Sequence, residues 1–244
     1  MILGTAKLDD LKARRPALPG FDAEPVSLPG AEVVQAMFEM PSSARECIVP
    51  AGLHPTIPPA LVLQAWRCPE SPWGEFSVVL ARAQTRSGVR PRGFVTGAAC
   101  DNAAAASALA AGFGFPAQPS EIRWQRAYDT VLLEVARGGE KILAFEGADP
   151  DPLAPGDVQF SGTLNLADTP RGWRLVQVDP ELTPRRAERL RPKLSAFAPS
   201  AWGDPRLDPY YPVSASITLA DIVIPKLRFV CRPEETAFTG TEKV

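Results

Sequence analysis

Two polar side chains next to apolar turns could carry out proton transfer or hold a carbonyl group. Gln118 follows the turn Phe115-Pro116-Ala117, and Glu75 follows Trp73-Gly74. The Gln118 amide could donate a hydrogen bond to a substrate carbonyl, and a buried Glu75 could act as a general acid or base. Such a pair would suit dehydration, cyclisation or isomerisation of a keto or enol compound. The alternative is that both are solvated turn residues with no chemical role.

An apolar small-molecule cavity is expected around this pair. Its predicted lining residues are Gln64, Phe94, Phe113, Phe115 and Ala117, with Arg92 as the charged member. Arg92 lies close in sequence to Arg86 and Arg90, and a guanidinium fork can grip a carboxylate with two hydrogen bonds. The alternative for these three arginines is a solvated hairpin tip.

The sequence offers few metal ligands or nucleophiles. Its only histidine, His54, lies in a proline-bound loop, and its four cysteines show no CxxC spacing. We therefore expect no metal site, no cofactor and a reducing, cytoplasmic location. Cys100 is a weak candidate nucleophile, because no histidine is placed to activate it, and a buried strand cysteine is the favoured interpretation.

The segment from Arg92 to Pro119 must position most of these residues. It reads as a strand, an alanine-rich helix over Ala103 to Ala111, and a glycine-rich turn. Asp101 or Asn102 can cap the first helical N–H groups, and Gly112 is the expected left-handed stop. The turn would then return Ala117 and Gln118 toward the interior.

The remaining sequence favours many short strands. The chain of 244 residues contains 27 prolines and 18 glycines spread along its length. Ala60 to Cys68 and Phe76 to Gln84 read as an antiparallel pair, whereas Ala31 to Met40 could be strand or helix. Pro41 to Pro50 suggests a short capped helix, and Thr183-Pro184 is expected to start a basic helix over Arg185 to Leu194.

Net charge and hydropathy exclude two classes of partner. A formal charge of −2 with scattered basic residues gives no electrostatic footprint for nucleic acid. No apolar run approaches the roughly 20 residues needed to span a membrane as a helix. We expect neither nucleic acid nor membrane as a partner.

Two motifs resemble the acetoacetate decarboxylase family. One is the strand, the Asp101-Asn102 pair, the alanine-rich helix and the Gly-aromatic-Pro turn, and the other is the terminal strand around Leu219-Ala220-Asp221-Ile222. The likeness extends from about Val33 to Arg232. It implies an α+β, β-rich fold of antiparallel sheets forming a cone-like barrel or sandwich with a few short helices. It also implies a homo-oligomer. Because its first residues are polar and punctuated by prolines, we expect residues 1–30 to form an N-terminal arm and residues 31–244 to form one domain.

The residues that carry the family's chemistry are missing. In that family the aromatic-Pro pair is followed by two lysines, the first of which forms a Schiff base with the substrate ketone; here those positions hold Ala117 and Gln118. The family's glutamate position falls at Ser77 or Val78, and its arginine falls near Pro29 to Ala31. The resemblance therefore implies the fold without Schiff-base decarboxylation.

Three functions stay open at this stage. The first is a lyase-like or cyclase-like enzyme that acts on a keto, enol or polyketide-like compound by non-covalent acid/base chemistry. The second is a non-catalytic small-molecule binding protein. The third is a decarboxylase that uses a different residue, for which Lys226 is the candidate nucleophile.

Overall fold

The computed structural model describes residues 2–244, which form one mixed sheet with a few short helices. The helices are α1 (Leu8–Leu11), α2 (Ala103–Phe113) and α3 (Ala237–Gly240), with 3-10 turns at Ser42–Ala44, Pro155–Asp157 and Pro199–Trp202. The strands are β1 (Val26–Glu39), β2 (His54–Pro55), β3 (Ala60–Cys68), β4 (Phe76–Ser87), β5 (Arg90–Cys100), β6 (Ala117–Pro119), β7 (Glu121–Arg126), β8 (Thr130–Arg137), β9 (Glu140–Leu153), β10 (Gly162–Thr169), β11 (Gly172–Val178), β12 (Glu181–Phe197), β13 (Tyr211–Ile224), β14 (Phe229–Cys231) and β15 (Thr241–Lys243).

The sheet is open at both ends. Its strand order is β15-β14-β11-β10-β5-β4-β3-β1-β13-β12-β9-β8-β7, with β2 added to β4 and β6 to β5. Most neighbours are antiparallel, and β5 runs parallel to both β10 and β6. The predicted β-rich α+β fold is therefore confirmed, but the sheet does not close into a barrel.

The sheet has apolar side chains on both faces. In β4, Val79, Ala81 and Ala83 belong to a first core cluster, whereas Val78 and Leu80 belong to a second. Successive side chains of a strand point to opposite faces, so the nearly continuous apolar sequence of β4 is explained by burial on both sides. The second core cluster also packs against the buried face of α2.

Helix α2 has the predicted start and a later end. The Asn102 side chain accepts hydrogen bonds from the backbone N–H groups of Ala104 (2.9 Å) and Ala105 (3.1 Å). The left-handed residue is Gly114, with φ of 71°, and not Gly112. The helix continues past Gly112 because Phe113 is buried in the second core cluster, which outweighs the low helix propensity of one glycine.

Two predicted helices are corrected by the structure. Arg185 to Leu194 lies in β12, which is paired on one side with β13 and on the other with β9. Pro192 would have interrupted a helix there, whereas a strand accommodates it beside an irregular register. The segment from Pro41 to Pro50 forms only a 3-10 turn, and the ambiguous segment Ala31 to Met40 lies in β1 up to Glu39.

The N-terminal segment lies along the body of the protein. The backbone N–H of Gly4 donates to Leu53 (2.9 Å), and that of Leu18 donates to Asp168 (2.7 Å). Leu18 is fully buried in the second core cluster. None of the helices in residues 2–244 is both long and apolar enough to cross a membrane.

Candidate functional site

The turn after α2 separates two different environments. Strand β6 runs parallel to β5, with Ala117 beside Ala98 and Gln118 beside Ala99. Ala117 packs against the second core cluster, whereas Gln118 lines a cleft outside it. Adjacent strand residues point in opposite directions, so these two motif positions face different surroundings.

The inner side of the turn is a packed apolar core. Ala117, Val78 and Ala31 all contact the second core cluster. The sequence resemblance assigns the family's lysine to Ala117, one of two candidate positions for its glutamate to Val78, and the neighbourhood of its arginine to Ala31. Trp66 and Phe115 fill the same region and contact each other edge to face, with ring centroids 6.2 Å apart. All three therefore lie in or against one core cluster, which also contains the buried thiols of Cys68 and Cys100.

The outer side is a cleft of about 260 Å³, which we call the arginine cleft. It lies between the N-terminal segment, the turn and β5, and the loop around Ser200 to Arg206. Its charged lining residues are Asp10, Arg14, Arg15, Arg137, Asp204 and Arg206.

A glycine allows the loop wall of the cleft to approach β5 closely. Gly203 adopts φ of 111°, and a Cβ atom there would lie 2.3 Å from the Thr96 carbonyl oxygen. No other residue type fits that conformation and that contact without strain. The glycine therefore keeps the loop, and with it Asp204 and Arg206, against the strand.

Arg137 lies at the cleft without a carboxylate partner among residues 2–244. Its Nε donates to Ser120 Oγ (3.2 Å), and its two Nη atoms donate to the backbone oxygens of Ala201 (3.0 Å) and Ala98 (3.3 Å). Partial burial, and then the nearby charge of Arg14, lower the pKa of the Arg137 guanidinium from its ordinary value. The side chain is therefore held rigidly while its charge stays uncompensated.

Arg15 is a second guanidinium without an ion pair in the described structure. Its Nε donates to the Leu11 carbonyl (3.0 Å), its Nη1 donates to the Val95 carbonyl (2.7 Å), and it lies 5.3 Å from the centre of the Phe94 ring. Burial lowers the pKa of Arg15 to about 10. It remains protonated at neutral pH.

Arg206 and Asp204 neutralise each other. Two nitrogens of the Arg206 guanidinium donate to the two oxygens of Asp204, at 2.8 and 2.6 Å. Burial alone would raise the pKa of Asp204, but the hydrogen bonds and charge of Arg206 hold that pKa below its ordinary value. The same hydrogen bonds raise the pKa of Arg206. This pair adds no net charge to the cleft.

Of the residues predicted to form the site, Gln118 is the one that lines the arginine cleft. The side chain of Glu75 is 63% exposed and pairs with Arg67 at 3.6 Å. Gln64 is buried beside Gln35, with 3.4 Å between its amide nitrogen and the Gln35 oxygen. Glu75 and Gln64 are therefore not brought to Gln118.

The predicted aromatic lining is divided between the two faces of the sheet. Phe113 and Phe115 belong to the second core cluster, whereas Phe94 belongs to the first and lies under Arg15. Arg92 is buried in a two-pronged ion pair with Asp179, with nitrogen–oxygen distances of 2.9 and 2.7 Å. Its guanidinium fork is therefore already occupied by a carboxylate of the same chain.

Arg14, Arg15 and Arg137 were missed by the sequence analysis. Arg14 and Arg15 lie in the N-terminal segment, which carries no recognisable motif, and Arg137 precedes an ordinary Gly138-Gly139 turn.

Within residues 2–244, no group of three or more His, Cys, Asp and Glu residues is placed to hold a metal ion.

The fold is shared with several solved structures. Acetoacetate decarboxylase from Legionella pneumophila aligns with a TM-score of 0.74 and 16% identity, over 91% of this chain and 94% of that chain. An acetoacetate decarboxylase-like enzyme from Sphingomonas wittichii RW1 aligns with a TM-score of 0.68 and 15% identity, over 84% of this chain and 92% of that chain. The enduracididine biosynthesis enzyme MppR complexed with pyruvate aligns with a TM-score of 0.66 and 16% identity, over 84% and 88%.

No protein-family model matches the sequence, and no curated protein sequence does. The likeness to the solved structures shows that the chain has the acetoacetate decarboxylase-like fold, as the resemblance of its two motifs predicted.

Proposed function

We propose that this protein binds a small carboxylate-bearing compound in the arginine cleft without forming a covalent bond to it. The observation that carries the proposal is the presence of Arg14, Arg15 and Arg137 around one cleft, none of them ion-paired with a carboxylate of residues 2–244. Arg15 and Arg137 are partly buried, and a charge taken partly out of water is costly unless an opposite charge meets it. An anion in the cleft would supply that charge.

The free donors of the cleft suit a carboxylate next to a carbonyl. The three hydrogen bonds of Arg137 to the protein leave two of the five N–H groups of a guanidinium unused. A carboxylate can accept both. Gln118, on the same cleft, has an amide that can donate to a neighbouring keto oxygen.

The size of the cleft favours a small ligand. Its volume of about 260 Å³ equals that of roughly nine waters at about 30 Å³ each. A short oxo acid fits within that room. MppR, which shares the fold, is complexed with pyruvate, a ligand of this class.

Binding is favoured over acid/base catalysis by the groups that the cleft contains. Asp204 is engaged by Arg206, Asp10 is exposed, and Glu75 lies elsewhere on the surface. No lysine lines the cleft in the described chain, and Lys226 is an exposed residue paired with Glu24 at 2.8 Å. A keto or enol compound would thus be held by charge and hydrogen bonds.

Calorimetric titration with pyruvate tests the proposal. We expect the wild-type protein to bind pyruvate and Arg137→Gln to bind it about tenfold more weakly, since hydrogen bonds to charged groups contribute about 1.5–3 kcal/mol. Arg90→Gln, which changes an exposed arginine far along β5 from the cleft, is the matched control. Equal affinities for wild type and Arg137→Gln, or no binding by the wild type, would contradict the proposal.

A further inference from the structure

We infer that the ligand of the arginine cleft is a dicarboxylate, and that Arg14 is the residue that recognises its second carboxylate. The inference rests on the proposed function of the cleft and concerns which class of anion it takes.

The N-terminal segment forms a fixed wall of the cleft. On one side of Arg14, the backbone N–H groups of Thr5 and Ala6 donate to Glu46 (2.8 Å) and Val49 (3.0 Å). On the other side, the backbone N–H of Asp168 donates to Pro16 (3.0 Å). Because the segment is hydrogen-bonded to the body on both sides, Arg14 is held at the cleft whether or not a ligand is bound.

The arginine cleft has an excess of positive charge. Arg206 and Asp204 cancel, which leaves the three positive charges of Arg14, Arg15 and Arg137 against the one negative charge of Asp10. The excess is therefore two positive charges. A monocarboxylate would compensate one of them, whereas a dicarboxylate compensates both.

The backbone of Arg14 has an unusual conformation. Its φ is 62°, in the left-handed region that residues other than glycine rarely adopt. Strain of this kind persists only where surrounding structure imposes it, and it is concentrated at ligand clamps and other functional sites. The side chain is exposed, and it makes no ion pair with residues 2–244, so it is free to meet an anion.

Arg14 and Arg137 face the same cleft. Both line the cleft, and the charge of Arg14 is close enough to lower the pKa of Arg137. Two like charges held together in one cleft repel each other, and a ligand with a carboxylate at each end would relieve that repulsion. A four- or five-carbon dicarboxylate has eight to ten non-hydrogen atoms, in line with the room for roughly nine waters.

The test compares two ligands that differ only in the second carboxylate, 2-oxoglutarate and 2-oxopentanoate. Calorimetry with the wild-type protein should give about tenfold tighter binding of 2-oxoglutarate, as expected for one further hydrogen-bonded charge pair. Arg14→Gln should remove that preference while leaving the affinity for 2-oxopentanoate within about twofold. Arg90→Gln should leave both affinities and the preference unchanged.

A second variant separates recognition from folding. Arg14→Gly relieves the left-handed strain, so its melting temperature should not fall, yet it should lose the preference for 2-oxoglutarate just as Arg14→Gln does. Equal affinity of the wild type for the two ligands would overturn the inference, as would a preference that survives in both variants. If neither ligand binds the wild type, the proposed function fails as well; if both bind equally, only the dicarboxylate inference fails.

Discussion

Ala117 and Gln118 are neighbours in sequence, but the fold places them on opposite sides of one turn. Ala117 contacts the second core cluster, and Gln118 lines the arginine cleft. The residue at the first position therefore belongs to the apolar interior, whereas the residue at the second position contributes to a polar, positively charged site. The sequence shows that neither position carries an amine, but it could not separate the two environments.

Restoring an amine to the inner position should restore imine formation without turnover. In Ala117→Lys, the apolar surroundings of Trp66 and Phe115 should lower the pKa of the new amine by desolvation. We expect borohydride to trap a pyruvate adduct on this variant, detected as an increase in intact mass, with acetoacetate decarboxylation at background. The wild-type mass should not change.

The matched control is Ala111→Lys, which places a lysine on an exposed position of α2. It should be trapped much less than Ala117→Lys at the same pH. Equal trapping of the two variants would show that position 117 does not lower the pKa of an amine. An adduct on the wild-type protein would show that a native lysine reacts.

At the scale of elements, predictions that depended on local pattern succeeded where the pattern was unambiguous. The β3–β4 pair was identified from two short apolar runs separated by a turn, and helix α2 from its alanine-rich composition. The helix predicted for Arg185 to Leu194 was wrong. Its basic residues suggested a solvated helix, but pairing with β9 and β13 imposed a strand. Sheet partners distant in sequence decided that element, and a local pattern contains no information about them.

The ends of the sheet support the prediction of self-association. β15 and β7 end the strand order, and near β15 a surface groove exposes Val89 (83%) and Phe238 (79%). Open edges and exposed apolar side chains favour pairing with another chain. We expect light scattering at micromolar concentration to give a mass of at least twice the 26.2 kDa of one chain.

The groove itself is tested by Phe238→Asp, which should reduce that mass. The control is Val213→Asp, which changes an exposed residue of β13, a strand inside the sheet. A wild-type protein that is monomeric under these conditions would refute the prediction. A mass that falls equally in both variants would show that the groove has no special part in association.

For the whole molecule, the fold could be predicted and the arginine cleft could not. The two motifs that resemble acetoacetate decarboxylases lie on α2 with its turn and on β13, elements of one sheet whose fold is shared with those proteins. The cleft instead gathers Arg14 from the N-terminal segment, Gln118 from β6 and Arg137 from β8. These residues are far apart in sequence and follow no common spacing, so only their positions in the folded chain reveal the site.

The most direct measurement is a crystal structure of the protein grown with pyruvate. We predict unlinked pyruvate in the arginine cleft, with its carboxylate oxygens about 2.7–2.9 Å from the Arg137 guanidinium nitrogens. The keto oxygen should lie within hydrogen-bonding distance of the Gln118 amide. Pyruvate joined covalently to any residue, or bound among Trp66, Val78 and Ala117 while the cleft holds none, would contradict it.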